Sequence, residues 1–250
     1  MKTTTSTDLL NLWERLGIQS GSTLLCHSFL PSLGKVLPDA NLVRDSLLEL
    51  LGSRGTLCAP TFTYSYFRGQ VYDLNKSPST VGEFGNIVRT HPEAIRSLDP
   101  NFSHASIGHN APNLMRRDTK HSFGTSSFYD KFIQQQGHVL LLGVDFTALP
   151  LFMHCEKGLD LPYRYDKEFS GLTQIGEQMI NDTAIHFVRD ENLDLDSNRR
   201  PIGEKIYSHA ACIREKCGYG MHTFVPANLV TAIVAEHVSK DPYFLVSPQL

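Results

Sequence analysis

Hydrophobic positions along this chain follow the period of a helix in some segments and that of a strand in others. Leu9, Leu10, Trp13 and Leu16 fall on one stripe, which predicts an amphipathic helix at residues 8–16, capped by Ser6 or Thr7. The same patterns predict further helices at 43–51, 81–89, 128–136 and 228–238, and strands at 23–26, 55–62, 138–144, 186–190 and 241–246.

The segment 138–144 reads His-Val-Leu-Leu-Leu-Gly-Val and is apolar on both faces. Such a run is typical of a parallel strand that helices cover on both sides. Because strands and helices alternate along the chain, the sequence predicts an α/β fold, a single domain over residues 1–250 with a mostly parallel central sheet flanked by helices. The strands at 23–26 and 138–144 should lie near its centre. Residues 61–79, aromatic and polar without a period, are predicted to form a long functional loop.

The strand at 23–26 leads directly into a turn that is rich in small and hydroxyl-bearing residues. The turn reads His27-Ser28-Phe29-Leu30-Pro31-Ser32-Leu33-Gly34, and a predicted helix follows it. A strand-to-helix junction of this kind presents free backbone N–H groups and the positive end of a helix dipole, which can hold a phosphate or a developing oxyanion. A purely structural turn is the alternative.

A histidine follows the buried strand at 138–144. Pro150 suits the first position of a helix and Gly158 suits a C-cap, so a short helix is predicted at 150–157. Ligands of open α/β sheets bind beyond the carboxyl ends of the strands, where His154 would lie. The helix dipole would lower the pKa of His154 and keep its imidazole neutral, as a general base requires. The alternative is a hydrogen-bonded structural histidine.

Composition and charge narrow the class of function. The chain is 41% hydrophobic and 20% charged, with a net charge of −3, which argues against a sequence-independent nucleic-acid binder. No apolar run approaches the roughly 18 residues that a bilayer span needs, so we expect no membrane insertion and a cytoplasmic protein. The five cysteines lack the paired spacing of a zinc site. We therefore expect reduced thiols and no metal.

Several short runs occur in one order along the chain. They are His27-Ser28 with Ser32-Leu33-Gly34; Gly52 with Gly55-Thr56-Leu57 and Pro60-Thr61; Ser77-Pro78-Ser79 with Gly82; Arg96-Ser97 with Pro100, Ser103 and Gly108; Phe123-Gly124 with Ser127; and Leu140-Leu141-Leu142-Gly143-Val144 with His154 and Glu156. In this order and spacing they resemble the aminoglycoside 3-N-acetyltransferase family, over about residues 20–165 and more faintly to the end. The resemblance implies an α/β fold other than the common GNAT acetyltransferase fold. It also implies direct acyl transfer from acetyl-CoA or another acyl-CoA to a primary amine of an amino sugar.

The resemblance further implies roles for particular residues. It assigns coenzyme A binding to His27, Ser28, Ser32, Leu33, Gly34, Ser79, Thr80 and Ser127. It assigns acceptor binding to Thr61, Thr63, Tyr64, Tyr66, Asp99, His104, Arg164 and Lys167. His154 would accept the proton of the attacking amine, with Glu156 or Asp145 holding its other nitrogen. The core would be residues 20–165, with 166–250 completing the acceptor side, and homo-oligomerisation stays open. Turn formation, helix capping and loop packing are the structural alternatives for these serines, threonines and tyrosines.

The chain departs from the family pattern in two places. The family usually has His-Pro where this chain has Asp99-Pro100, so Asp99 or the nearby His104 would replace that histidine unless it is dispensable. The family also spaces its histidine and glutamate as H-x-x-E, whereas His154 and Glu156 are two apart. Residues two apart on a helix point in nearly opposite directions. Glu156 can therefore orient His154 only if the helix is irregular. Otherwise the acid is one of Asp145, Asp166 and Asp190.

The sequence leaves alternatives open for both the acceptor and the class of reaction. Arg164 and Lys167 suit the diphosphate of a nucleotide-linked amino sugar of surface-polysaccharide synthesis, whereas an aminoglycoside, the substrate of antibiotic resistance, is a polycation and calls for carboxylates. A covalent acyl-enzyme hydrolase would use Ser28, Ser127 or Cys26. The chain lacks G-x-S-x-G, and Cys26 and His27 point to opposite faces of a strand. A family member that has lost catalysis and only binds a ligand is the other alternative.

Overall fold

The fold is that of a computed structural model, which describes residues 1–159 and 161–248. The α-helices within these ranges are α1 (Ser6–Arg15), α2 (Asn41–Leu51), α3 (Glu83–Arg89), α4 (Ala111–Met115), α5 (Phe128–Gln134), α6 (Leu151–Lys157), α7 (Arg200–Tyr207) and α8 (Ala227–Val238). Short 3-10 helices occupy Leu30–Leu33, Tyr66–Arg68 and Phe146–Ala148.

The strands form one large sheet and several small ones. They are β1 (Thr3–Thr4), β2 (Thr23–Ser28), β3 (Lys35–Val36), β4 (Thr56–Pro60), β5 (Tyr72–Asp73), β6 (Ile95–Arg96), β7 (His104–Gly108), β8 (His138–Leu142), β9 (Arg164–Ile175), β10 (Gln178–Arg189), β11 (Leu195–Ser197), β12 (Ile213–Cys217), β13 (Gly220–Pro226) and β14 (Val246–Pro248). The large sheet has seven strands in the order β12-β13-β8-β2-β4-β7-β6.

The large sheet is parallel at its centre and antiparallel toward its edges. β2 pairs in parallel with both β4 and β8, whereas β13 and β7 pair antiparallel with β8 and β4. The α/β class and the central position of the strands at 23–26 and 138–144 are confirmed. The parallel part is limited to the centre because the outer strands join through hairpins and reversals, which antiparallel pairing allows.

Side chains of the central strands alternate between two buried clusters. Leu24 and Cys26 of β2 lie in a cluster with Trp13 of α1, while Leu25 lies in a second cluster with Phe152 of α6. Because successive side chains of a strand point to opposite faces, His27 projects to the same face as Leu25. His27 therefore lies on the face of the sheet that α6 covers.

Two helix starts test the sequence prediction in detail. Helix α1 is capped by Thr5, not by the predicted Ser6 or Thr7, because Thr5 and Asp8 form a reciprocal capping box. The predicted short helix at 150–157 is confirmed as α6, with Pro150 as its N-cap and Gly158 as its C-cap. Helix α6 is thus a regular helix over the residues that the family pattern marks.

The region after residue 163 holds strands that the sequence pattern does not predict. The pattern predicts a strand at 186–190, but β10 begins at Gln178 and forms a long hairpin with β9. Many of its side chains are exposed, so it lacks a clear apolar face. The predicted strand at 241–246 is instead mostly a turn, and β14 begins at Val246. Strands β12 and β13 are also missed, although they extend the large sheet beside β8.

Candidate active site

A cleft of about 410 Å³ opens at the carboxyl ends of β2, β4 and β8. Apolar and aromatic side chains form most of its wall, among them Pro60, Phe62, Tyr64, Phe102 and Met153. Its more polar members include His27, Ser28, Thr147 and Arg199. Open α/β sheets bind their ligands at this position, and an apolar cleft with few polar groups is typical of a small-molecule site.

His27 belongs to the wall of this cleft and is almost completely buried, with 4% of its surface exposed. Its Nε2 is buried and has no hydrogen-bond partner among the described residues. Burial lowers the pKa of His27 to about 3, so the imidazole is neutral at neutral pH. An unsatisfied buried polar group costs roughly 1–3 kcal/mol.

His104 lies close to His27 in the interior. Its Nε2 is 3.2 Å from the hydroxyl of Tyr129, and its ring stacks on Phe128 with the centroids 3.7 Å apart. Its Nδ1 is buried without a partner among the described residues. Burial lowers the pKa of His104 well below its usual value, and the neighbouring His27 lowers it further. Both imidazoles are therefore neutral at neutral pH.

Helix α6 presents Met153, and not His154, to the cleft. Met153 is part of the cleft wall, and successive side chains on a helix are rotated by about 100°. His154 instead accepts the backbone N–H of Gly124 at Nδ1, over 3.2 Å. Burial lowers the pKa of His154, an effect that Asp130 opposes. The ring is neutral because it is buried, and not through the helix dipole that the sequence analysis invokes, since His154 lies in the last turn of α6. Its proton then lies on Nε2, so its basic nitrogen is already engaged by Gly124.

Glu156 is buried and points away from His154. Its carboxylate forms an ion pair with Arg164 over 2.8 Å and accepts the hydroxyl of Tyr163 over 3.0 Å. The regular helix separates the two side chains, as residues two apart require. The structure therefore does not bring Glu156 to His154. The guanidinium of Arg164 is likewise bound to this carboxylate. If Arg164 turned to bind an acceptor, as the sequence analysis predicts, the charge of Glu156 would lose its partner.

The other acids proposed for His154 bond elsewhere. Asp145 accepts the backbone N–H of Thr147 over 2.9 Å, and Asp190 accepts that of Asn192 over 2.9 Å. Asp166 pairs with Lys157 over 2.6 Å. The acid whose charge acts on His154 is Asp130, which accepts the backbone N–H of Ser126 over 2.6 Å. Sequence spacing gives no signal for Asp130, because it lies on α5.

Arg199 is the cation of the cleft wall, and the sequence analysis does not identify it. Its guanidinium donates to the carbonyl oxygens of Thr147 and Leu149 over 3.2 and 2.9 Å. It also lies over the ring of Phe152, 5.2 Å from the centroid. These contacts fix the charge at the cleft. No carboxylate belongs to the wall as far as the described residues define it. Burial lowers the pKa of Arg199, an effect that the nearby Glu156 opposes.

The residues assigned to coenzyme A fall into two groups. His27 and Ser28 lie on the cleft. Leu33 packs in the core, and Ser32 is wedged against Gly143, where an added Cβ would overlap it. Gly34 has a φ of +80° and approaches the backbone of Lys2. Of these five residues, His27 and Ser28 are therefore the ones on the cleft wall.

The downstream hydroxyls assigned to coenzyme A have structural contacts. Thr80 donates to the carbonyl of Phe62 over 3.0 Å. Ser79 accepts the N–H of Val81 over 3.4 Å. Ser127 is the N-cap of α5 and accepts the N–H of Asp130 over 3.4 Å. Helix capping accounts for Ser127 without a ligand.

Most residues assigned to the acceptor make structural contacts within the protein. Among the described residues, Tyr64 is the one of this set that lies on the cleft wall. Arg96 binds both threonines. Its guanidinium donates to the carbonyl oxygen of Thr61 over 2.7 Å and to the hydroxyl of Thr63 over 2.8 Å. The hydroxyl of Tyr66 donates to the carbonyl oxygen of Asp182. The carboxylate of Asp99 accepts the backbone N–H groups of Asn101 and Phe102. The ammonium of Lys167 lies over the ring of Phe169. His104 is buried against Tyr129 and Phe128, as described above.

A second cleft of about 440 Å³ adjoins the first. The two share Val144, Thr147 and Ala148 in their walls. In the second cleft the guanidinium of Arg214 lies over the ring of Tyr207, 4.0 Å from its centroid. A stacked guanidinium beside an aromatic ring is a favourable contact for phosphates and for a nucleobase. The two clefts together make an elongated site.

Within residues 1–159 and 161–248, no cluster of three or more histidine, cysteine or acidic side chains has the arrangement of a metal site. No helix in those ranges has the length and apolar character needed to cross a bilayer.

Comparison with known proteins places these features in a family. The YokD protein of Bacillus subtilis (strain 168), described as SPbeta prophage-derived aminoglycoside N(3')-acetyltransferase-like, is 28% identical over 174 residues, 60% of this chain and 63% of its own length. Aminoglycoside N(3)-acetyltransferase VII of Streptomyces paromomycinus is 28% identical over 180 residues, 63% of this chain and 62% of its own length. These matches span less than two thirds of either relative.

Solved structures share the fold over nearly the whole chain. AAC-VIa bound to sisomicin has a TM-score of 0.86 at 17% identity, covering 96% of this chain and 98% of that one. AAC-IIIb in a binary complex with CoASH has a TM-score of 0.84 at 19% identity, covering 96% and 97%. The family model described as aminoglycoside 3-N-acetyltransferase matches residues 25–239. The chain therefore belongs to the aminoglycoside 3-N-acetyltransferase family.

Proposed function

We propose that this protein transfers an acyl group from acyl-CoA to a primary amine of an amino sugar. The observation that carries this proposal is the apolar cleft at the carboxyl ends of β2, β4 and β8, in a chain of this family. His27 and Ser28 stand where a ligand would meet the ends of the parallel strands. The apolar wall would keep water away from a thioester, which water would otherwise hydrolyse.

The adjoining clefts fit the two chemically different halves of acyl-CoA. Arg214 over Tyr207 would hold the charged nucleotide half, and the apolar wall near Met153 would hold the pantetheine arm and the acyl group. His27 and Ser28 add polar side chains to this wall. Bound acyl-CoA would supply an activated acyl carbon. A relative of the same fold has been solved with CoASH.

Two acceptor classes follow from different observations. The names of the relatives favour an aminoglycoside. The fixed charge of Arg199, in a wall to which the described residues contribute no carboxylate, favours an amino sugar that carries a phosphate or a carboxylate. A nucleotide-linked amino sugar has that chemistry. Because like charges repel strongly in a desolvated cleft, we propose the anionic amino sugar as the better acceptor.

The family resemblance makes His154 the base. Its neutral imidazole supports that role. Its Nδ1, which accepts the N–H of Gly124, and its absence from the described cleft wall count against it. The covalent hydrolase has less support, since burial raises the pKa of the Cys26 thiol and Cys26 faces the opposite cluster.

An acceptor screen tests the proposed function. The protein would be mixed with acetyl-CoA and, separately, with glucosamine, glucosamine 6-phosphate, a UDP-linked amino sugar and sisomicin, while thiol release is followed. We expect acceptor-dependent thiol release, fastest with an anionic amino sugar. Thiol release without an acceptor, together with an acylated peptide in the mass spectrum, would indicate the hydrolase. Tight acetyl-CoA binding without turnover of any acceptor would indicate a binding protein.

A further inference from the structure

A third cavity, of about 420 Å³, lies at one edge of the large sheet. It is formed by the edge strand β6, the end of α3 and the loop after β5. Its wall has no residue in common with the walls of the two clefts described above. Its polar members are Asn75, Arg89, His91 and Arg96, and among the described residues no carboxylate belongs to it. The cavity is therefore a separate and basic one.

Three side chains of this wall have N–H donors without a hydrogen-bond partner among the described residues. Arg89 donates from Nε to the side chain of Asn86 over 2.8 Å and from Nη1 to the carbonyl oxygen of Asn75 over 3.1 Å, which leaves Nη2. His91 accepts the backbone N–H of Glu93 at Nδ1 over 3.2 Å, so the proton of its neutral ring lies on Nε2. The third donor is the side-chain amide of Asn75. Such a set of donors suits an oxyanion.

Arg96 adds a second fixed positive charge to the same wall. Its guanidinium donates to the carbonyl oxygen of Ser77 over 2.6 Å, and its other hydrogen-bond partners in the described chain are likewise neutral. Burial lowers the pKa of Arg96 and the charge of Arg89 lowers it further, while Tyr72 and Asp73 oppose these effects. Two guanidinium groups that repel each other are thus held near one cavity.

The acids that are close in sequence do not neutralise this pair. The carboxylate of Asp73 accepts the backbone N–H groups of Asn75 and Lys76, both over 2.9 Å, and it is not part of the wall. Glu93 is exposed and forms no ion pair within the described residues. A partly buried charge without a counter-ion is costly. An anion in the cavity would offset that cost.

We propose that this cavity binds the phosphate group of a small phosphorylated molecule, through Arg89, His91 and Asn75. Guanidinium groups bind phosphate oxygens through strong, charge-assisted hydrogen bonds. The cavity is much larger than a bare phosphate, and the rest of its wall is apolar, formed by Leu74, Ala94 and Ile95. The ligand therefore carries an organic part beside its phosphate. The inference does not depend on the proposed acyl transfer.

Arg96 connects the cavity to the strand end at the first cleft. The same guanidinium donates to the carbonyl oxygen of Thr61 over 2.7 Å and to the hydroxyl of Thr63 over 2.8 Å. Thr61 directly follows Pro60, which belongs to the wall of that cleft. A phosphate beside Arg96 would stabilise this charge and the backbone that it holds. Because a ligand that binds the folded state stabilises it, binding should raise the Tm.

The test uses glucose 6-phosphate, which lacks an amine and so cannot be acylated. We expect calorimetry to show one molecule bound to the wild-type protein, with a rise in Tm, and no binding of glucose. Inorganic phosphate is the second probe. Tighter binding of glucose 6-phosphate would identify an organic phosphate as the ligand, whereas equal binding would identify the free phosphate ion. Wild-type protein that binds neither probe would overturn the proposal.

Variants of the wall give the expected losses. Arg89→Gln removes a charged donor and should raise the Kd for glucose 6-phosphate by about 10- to 100-fold. Asn75→Asp keeps the shape of an exposed side chain but adds a negative charge to the wall, so it should abolish binding. Asn75→Ala removes a neutral donor alone and should weaken binding less. Arg54→Gln, an exposed arginine outside the wall, is the matched control and should bind as wild type does.

The second cleft is the other place where a phosphate could bind, and Arg214→Gln tests it. If Arg214→Gln loses binding while Asn75→Asp retains it, the proposed site is wrong. A loss in Arg54→Gln as large as that in Arg89→Gln would reduce the effect to general surface charge and would overturn the proposal too. The backbone amide NMR signals of Asn75 and His91 should shift as glucose 6-phosphate is added. Heat of binding without these shifts would place the ligand elsewhere. Because no step of this test measures thiol release, its result stands whether or not the protein transfers acyl groups.

Discussion

The carboxylate of Glu156 and the guanidinium of Arg164 form a buried ion pair over 2.8 Å, with 2% and 5% of their side chains exposed. The pair joins α6 to the start of β9 and so fixes the helix that supplies Met153 to the cleft. A carboxylate held in this way stabilises the cleft wall. It does not act as the partner of His154.

This relationship predicts that Glu156→Gln is chiefly a stability mutant. Removing one partner of a buried pair leaves the other charge uncompensated, which costs about 3–5 kcal/mol. Urea denaturation would measure the loss. The double variant Glu156→Gln, Arg164→Met should lose less than the sum of the single variants. If Glu156→Gln were as stable as wild type but slow in thiol release, Glu156 would have a catalytic role after all.

Part of this architecture can be predicted from the sequence. The central strands β2 and β8 are predicted because their side chains are apolar on both faces, a pattern that solvent-facing strands lack. The hairpin of β9 and β10 is mostly missed because many of its side chains are exposed and give no clear period. Its stability depends on long-range pairing, which a local pattern does not show.

The candidate site is predicted in part, for a similar reason. His27, Ser28 and Tyr64 lie near strand ends and are found by motif and position. Met153 and Arg199 are missed. Met153 has no chemical signature, and Arg199 reaches the cleft from a distant part of the chain. The spacing argument correctly separates Glu156 from His154, but only the fold shows that Arg164 is its partner.

Acidification should destabilise the protein through His27. The folded-state pKa is lowered to about 3, below the unfolded value of about 6.5. Between these values the unfolded state binds more protons, so stability falls as the pH falls, by up to about 1.4 kcal/mol per pH unit. Below about pH 3 this contribution levels off. Urea denaturation from pH 7.5 down to pH 4 would show a smaller slope in His27→Gln. Ser28→Ala, which removes no titrating group, should keep the wild-type slope.

The charge of Arg199 should decide which acceptor binds. Arg199→Gln removes a charged hydrogen-bond donor worth about 1.5–3 kcal/mol, so the KM for glucosamine 6-phosphate should rise by about 10- to 100-fold. Arg199→Lys keeps the charge and should lose less. The KM for acceptors without an anionic group, glucosamine and sisomicin, should not rise. Arg200→Ala, an exposed neighbour at the start of α7, is the matched control. An equal rise of KM for all acceptors would show that Arg199 serves only to hold the 147–149 backbone.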